Sequence, residues 1–295
     1  MRLPARIAKR TSIALAGAAL VAAAGSAPAF ATPLTLPPSA PPELVALLGR
    51  MEALNVETER FSLSTSFEFP AHSHIPKELR ELLSLFTIGV TGEARGSNEG
   101  SFLLAFLGAK FHVIVVGGHT YVDLGPKLAR RDGGRPWIDA GRAGLDAIFG
   151  SHGANAPPTV ESAPSFKHLV ELLTSPIAVT PLGTSTLEGQ PVSGFRETVS
   201  RALFKRSQVS SSVFAQARTA ATPEAATVET FIAASGLPVR TRILEGERQV
   251  TAVVELDFPA INFPLTIEPP PPAQTIGLAA LKRLERRHRH KPRHG

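Results

Sequence analysis

The 295-residue chain contains no cysteine, one tryptophan (Trp137), one tyrosine (Tyr121) and two methionines. Without cysteine there is no disulfide framework, no thiolate metal site and no cysteine nucleophile. Such a chain can be exported without oxidative folding. The aromatic content is instead almost all phenylalanine, sixteen in number. Phenylalanine brings apolar area with no polar handle, which suits a core or a greasy pocket. No G-x-S-x-G, H-E-x-x-H, P-loop or G-x-G-x-x-G occurs, so the sharp turns and ligand spacings of the common hydrolases, zinc proteases and nucleotide binders are missing. No catalytic residue, metal or cofactor is therefore expected. Hydrophobic residues make up 43% and charged residues 19% of the chain, enough to fold around a real core as one large domain or two modest ones.

The formal net charge of +6 is unevenly placed. Arg2, Arg6, Lys9 and Arg10 give residues 1–31 a net +4 with no acid. Residues 282–295 carry seven basic residues against Glu285, whereas 32–281 hold 20 basic and 24 acidic ones. A body net negative by four does not suit a nucleic-acid binder, which needs cations on its own folded face. The N-terminal charges precede the apolar run 13–24, too short for a comfortable span, and then Ala29-Phe30-Ala31. This pattern predicts a signal peptide over 1–31, cleaved after Ala31, and an exported mature chain in the cell envelope or secreted. No cysteine follows the apolar run, so no lipid can be attached there.

A Pro-rich lead-in covers 32–42. Pro42 and Glu43 open a helix over 43–54, whose Leu44, Leu47, Leu48, Met51 and Leu54 recur at helical spacing. Residues 56–69 alternate Phe61, Leu63, Thr65, Phe67 and Phe69 with polar neighbours, as a strand wet on one side does. A short helix is predicted at 76–85 and strands at 87–95, 100–107, 110–116, 119–124 and 135–140, with Gly117-Gly118 as a two-residue hairpin turn. A helical turn is predicted at 143–149 and a helix at 165–174. Strands follow at 177–187 and 191–199 around Glu188-Gly189, and at 226–234, 238–245, 248–258 and 261–267. The stretch 200–217 fits helix or loop. About ten or eleven strands with two or three inserted helices do not make βαβ order. So long an antiparallel sheet twists, and must close, split or curl around something, the helices being the natural filling. The fold class is α+β.

Nine histidines invite a metal reading. His72 and His74 lie two apart in a Pro-flanked loop and read as solvated, since a metal needs further ligands. His112 and His119 read as a cross-strand pair over the hairpin. Trp137 reads as a packing anchor. Arg240 and Arg242 share a strand face, set either to pair with Glu245 or Glu247 or to meet a lipid phosphate. Residues 273–295 read as a basic, disordered tail. Its end, 282–295, is either merely solvated or attracted to an anionic membrane surface or cell-wall polymer.

The order of elements, with Val56-Glu57-Thr58-Glu59-Arg60-Phe61-Ser62-Leu63, Val90-Thr91-Gly92-Glu93-Ala94, Tyr121-Val122, Pro136-Trp137-Ile138, Leu182-Gly183-Thr184-Ser185-Thr186-Leu187-Glu188-Gly189, Gly236-Leu237-Pro238-Val239-Arg240-Thr241-Arg242 and Phe263-Pro264-Leu265-Thr266-Ile267, resembles the exported lipid-carrier lipoproteins of actinobacteria. The likeness is to the mycobacterial glycolipid-binding type, and more distantly to the LolA/LolB lipoprotein carriers, over 43–272. The resemblance implies a strongly curved antiparallel half-barrel with helices on its concave side and an acyl-chain cavity between the layers. It implies lipid binding or transfer without turnover, and it carries over no catalytic residue. The missing lipid-attachment cysteine departs from that family. Candidate wall residues are Phe61, Phe67, Phe102, Phe106, Phe111, Val113, Val115, Phe231, Ile232, Val254 and Leu256. The same Phe-rich faces also fit a filled core. That alternative makes the protein a non-catalytic interaction or regulatory module. A hydrolase would need a convergent Ser, His and acid.

Overall fold

In the computed structural model, the structure describes residues 36–70, 74–84, 87–96, 98–106, 109–123, 125, 129, 134–143, 165–200, 225–247 and 250–289. The signal-peptide reading, the lead-in up to residue 35, most of 143–149 and the ambiguous 201–217 lie outside them.

Helix α1 (Pro42–Glu52) starts on proline, carries Glu43 in its first turn and Arg50 in its last, and buries Leu44, Leu47, Leu48 and Met51. The fixed proline φ and the charge placement both favour this start and this end. Then come β1 (Thr58–Glu68), α2 (Lys77–Ser84), β2 (Ile88–Arg95), β3 (Glu99–Phe106), β4 (Ala109–Val116), β5 (His119–Asp123) and β6 (Trp137–Asp139). The second half holds α3 (Phe166–Leu173), β7 (Ala178–Leu187), β8 (Gln190–Ser200), β9 (Ala225–Ala233), β10 (Pro238–Glu247), β11 (Val250–Ile261), β12 (Thr275–Gly277) and α4 (Leu278–Arg289).

Among the described residues, twelve strands form one sheet, in the order β12-β6-β5-β4-β3-β2-β1-β11-β10-β9-β8-β7. Two meanders, β1 to β6 and β7 to β11, are joined where β1 pairs with β11. Every pairing is antiparallel except the short β12–β6 contact. The tight turns match their residues. Gly117 and Gly118 both have positive φ, as do Glu188 and Gly189 (51° and 78°), so both loops twist with the sheet. Register shifts between Arg60 and Ser62, Pro181 and Gly183, and Pro238 and Arg240 mark bulges. Bulges sharpen local twist, and here they help a long sheet curl rather than stay flat. The result is an open half-barrel.

Alternation assigns the faces. Phe61, Leu63, Val90, Phe102, Leu104, Val113, Val122, Phe195, Val199, Val228, Ile243, Val254, Leu256 and Phe258 form one buried cluster with α1 and with Phe166, Leu169, Leu172 and Leu173 of α3. The helices therefore fill the concave side. Helix α3 is tied to the sheet at its start: the Phe166 N–H donates to Glu59 Oε2 at 2.8 Å, and its ring meets Phe258 edge-on at 5.6 Å.

Three expectations are corrected here. Residues 262–267 leave the sheet. Asn262 has φ +52°, accepts from the Glu57 N–H and donates to the Leu54 carbonyl, so it staples the α1–β1 loop instead of extending β11. The stretch read as a disordered tail is ordered over 275–289. There Ile276 and Leu281 pack on Ile138. A few apolar residues inside a basic sequence suffice, because β6 offers them an apolar partner. Finally His112 and His119 do not pair, since His112 stands opposite Asp123 and His119 opposite Val116.

Candidate functional site

The concave face brings together most of the expected wall. Phe61, Phe102, Val113, Ile232, Val254 and Leu256 are buried in the main cluster, and Phe111 and Val115 pack partly buried against it. Phe61 and Phe102 rings lie 5.9 Å apart at a tilt of 41°. Phe67 is half-buried. It stands opposite Ala252, on the face of Leu63 and Thr65. The Phe106 side chain lies outside the described residues.

Phe231 is a correction. It stands opposite Arg240 and Gly194 and joins Val192, Ala233, Val239 and Leu187 in a small cluster apart from the main one. Adjacent residues of a strand face opposite sides, so Ile232 inward requires Phe231 outward.

Of the two readings of Arg240 and Arg242, ion pairing is the one the geometry fits, with partners other than Glu245 and Glu247. Both arginines lie on the convex face, inside a ladder of carboxylates. Arg240 reaches Asp257 at 3.1 Å, Glu188 at 3.3 Å and Glu255 at 3.4 Å. Arg242 reaches Glu68 at 2.7 Å and Glu229 at 3.1 Å. Arg196 adds a two-pronged contact to Glu229, whose carboxylate is nearly buried. These guanidiniums are outnumbered by the carboxylates around them, so an added phosphate meets net repulsion there. Replacing Arg240 and Arg242 together with Ala is expected to cost about 1–3 kcal/mol of stability, because Glu229 and Asp257 lose partners. Urea denaturation reads the loss. Binding of anionic and neutral acyl probes should stay equal, and selective loss of the anionic probe would return these residues to the site.

At the other end of the convex face, Ser101 Oγ lies 2.8 Å from His112 Nε2, and Trp137 meets the His112 ring edge-on at 5.2 Å. Burial lowers the His112 pKa and Asp123 opposes that change. Asp123 Oδ1 accepts from the Gly125 N–H at 2.7 Å. Trp137 is thus a packing anchor. Among the described residues, no group of three His, Asp or Glu side chains is placed to hold a metal, and no helix is long and apolar enough to cross a membrane.

The feature missed in the sequence is polar and sits in the apolar layer. Glu197 of β8, Thr230 of β9 and Thr241 of β10 are fully buried, and the Glu197 carboxyl and both hydroxyls have no hydrogen-bond partner among the described residues. Thr230 stands directly opposite Thr241 and opposite Phe195. Glu197 stands opposite Val228, one pleat repeat further on the same face. Leaving such groups unpaired ordinarily costs about 1–3 kcal/mol each. Burial pushes the Glu197 pKa up to about 8. Burial likewise raises Glu59 to about 7, partly offset by the bond from Phe166. A signal was present: alternation through Phe195, Glu197 and Val199 puts a carboxyl in the apolar register.

No protein-family model matches the sequence, and no curated protein matches it. Among solved structures, the lipoprotein LppX of Mycobacterium tuberculosis is similar over 78% of this chain and 100% of its own, at 13% identity and a TM-score of 0.45. LprF of Mycobacterium bovis is similar over 78% of this chain and 98% of its own, at 13% identity and a TM-score of 0.49. Both are mycobacterial proteins. At such identities the likeness carries no ligand with it.

Proposed function

We propose that this chain is an exported lipid-binding protein that holds acyl chains between the curled sheet and helices α1 and α3, without turnover. The observation that carries this reading is a single apolar layer running from Val122 of β5 across β1 and β11 to Val199 of β8, on a sheet whose edge strands β12 and β7 do not pair among the described residues. Phe67, Phe111 and Val115 remain partly accessible on its β1–β4 side. An apolar layer with a partly accessible Phe-rich margin suits an aliphatic ligand. Residues 1–31 serve as the export signal. The cationic segment 282–295 adds attraction to anionic surfaces, each cation contributing about 1 kcal/mol near an anionic bilayer. Flotation with anionic vesicles should lose that attraction as salt is raised.

A second reading, an interaction protein with a filled core, is favoured by the complete burial of Leu169, Leu172, Leu173 and Leu256. Native mass spectrometry with solvent extraction separates the two, using the full chain exported from a bacterial host. The lipid-binding reading expects a stoichiometric adduct that extracts as lipid. Unliganded protein that also refuses a fluorescent acyl probe supports the filled core.

A further inference from the structure

We propose that Glu197, Thr230 and Thr241 form a polar anchor inside the apolar layer, recognising a neutral oxygen function, an ester or a hydroxyl, carried on an aliphatic chain. This rests on the lipid-binding reading and names what part of the lipid sits where.

The three side chains come from adjacent strands and share the concave face. Thr230 and Thr241 are direct cross-strand neighbours, and Glu197 is diagonal to Thr230. Their surroundings are apolar: Phe195, Val199, Val228 and Ile243 are each buried in the main cluster. All four polar side-chain oxygens are enclosed and without a partner among the described residues. Native interiors pair nearly all such groups, so a cluster of unpaired ones aimed into a ligand layer points to an occupant.

The chemistry of the set narrows that occupant. A carboxyl that keeps its proton at neutral pH donates one bond, and each threonine hydroxyl donates and accepts. Such a set matches an ester carbonyl or an alcohol, which accepts or exchanges bonds without bringing charge. A phosphate is disfavoured, because an anion beside a buried carboxyl has no cation to balance it. The cation next to Glu197 along β8, Arg196, points to the opposite face and is held by Glu229. An unsubstituted hydrocarbon fills the layer but leaves the anchor unpaired.

The test uses the full chain and the Thr230→Val/Thr241→Val variant, which keeps shape and removes both hydroxyls. Displacement of a fluorescent acyl probe is measured with methyl palmitate, hexadecanol and hexadecane of matched chain length. The unaltered protein should prefer the ester, the alcohol or both over the alkane by about tenfold, the worth of roughly one net hydrogen bond. Which of the two is preferred tells the sources apart. The variant should lose that preference while binding hexadecane at least as well. Its melting temperature should not fall, since two unpaired hydroxyls are gone. An equal preference in both proteins overturns the anchor and leaves the lipid reading intact, as does ordered water retained there with the ligand bound elsewhere. No probe uptake by the unaltered protein ends the lipid reading and the anchor with it.

Discussion

Replacing Glu197 with Gln is expected to stabilise the protein above about pH 8 and to flatten its pH profile. In the folded chain burial holds the Glu197 pKa at about 8, against 4.5 for a solvated glutamate. The folded state therefore keeps a proton that the unfolded state has released. Stability is fully present below the unfolded pKa and is lost as pH rises through the window up to about 8. Glu59 acts in the same direction over a narrower window, up to about 7. A tenfold change in proton affinity is worth about 1.4 kcal/mol, so Glu197 accounts for a loss on the order of a few kcal/mol by mildly alkaline pH. Glutamine keeps the size and polarity and cannot ionise. Melting temperatures measured from pH 5 to pH 9 should fall for the unaltered protein and much less for the variant. Parallel curves would mean that the carboxyl ionises freely in the folded state and is not sealed in the layer.

The second large effect concerns Phe102. Its ring lies flat on the sheet across two glycines. A methyl on Gly100 would overlap the ring, and one on Gly92 would stand 2.5 Å from its Cδ1 and 2.9 Å from the Ser101 carbonyl oxygen. The two glycines are diagonal neighbours across the β2–β3 pairing, with Gly92 opposite Phe102 and Gly100 opposite Ala94. Phe102→Ala should cost about 3–5 kcal/mol, the usual loss for a buried ring. Gly100→Ala should cost about 1–3 kcal/mol by overpacking, because the buried ring must leave its place. Together they should cost less than the sum, since the new methyl partly fills the vacated space. A urea double-mutant cycle measures this, and strict additivity would show that the ring does not rest on Gly100. The same lifted ring should intrude on the acyl layer and weaken probe uptake.

Local patterns carry much of the architecture. The Leu44, Leu47, Leu48, Met51 stripe locates α1, Gly117-Gly118 locates a hairpin, and the alternation through Val254, Leu256 and Phe258 locates β11. Such features are decided by residues within a few positions of one another. The pairing of β1 with β11 joins distant parts of the chain, Arg60 with Ala260 for example, and has no local trace. Phe231 is misplaced by sequence reading because apolar character does not say which face a strand residue takes, and a one-residue shift exchanges the faces. Helix α4 is hidden by its charge, although Leu278, Ala280 and Leu281 are enough to seat it on Ile138. The polar anchor is visible only as one carboxyl in an apolar register. Its meaning depends on Thr230 and Thr241, which the sheet brings alongside from other strands.

The most direct test of lipid binding on the concave side is photolabelling with an acyl chain that carries a terminal diazirine, followed by peptide mapping. Crosslinks are expected on inward residues of β1–β4, Phe67, Phe111 and Val115 among them, and on the facing sides of α1 and α3. Labelling confined to the convex cluster of Val192 and Phe231, or to the exposed edge strand β7, would contradict binding between sheet and helices.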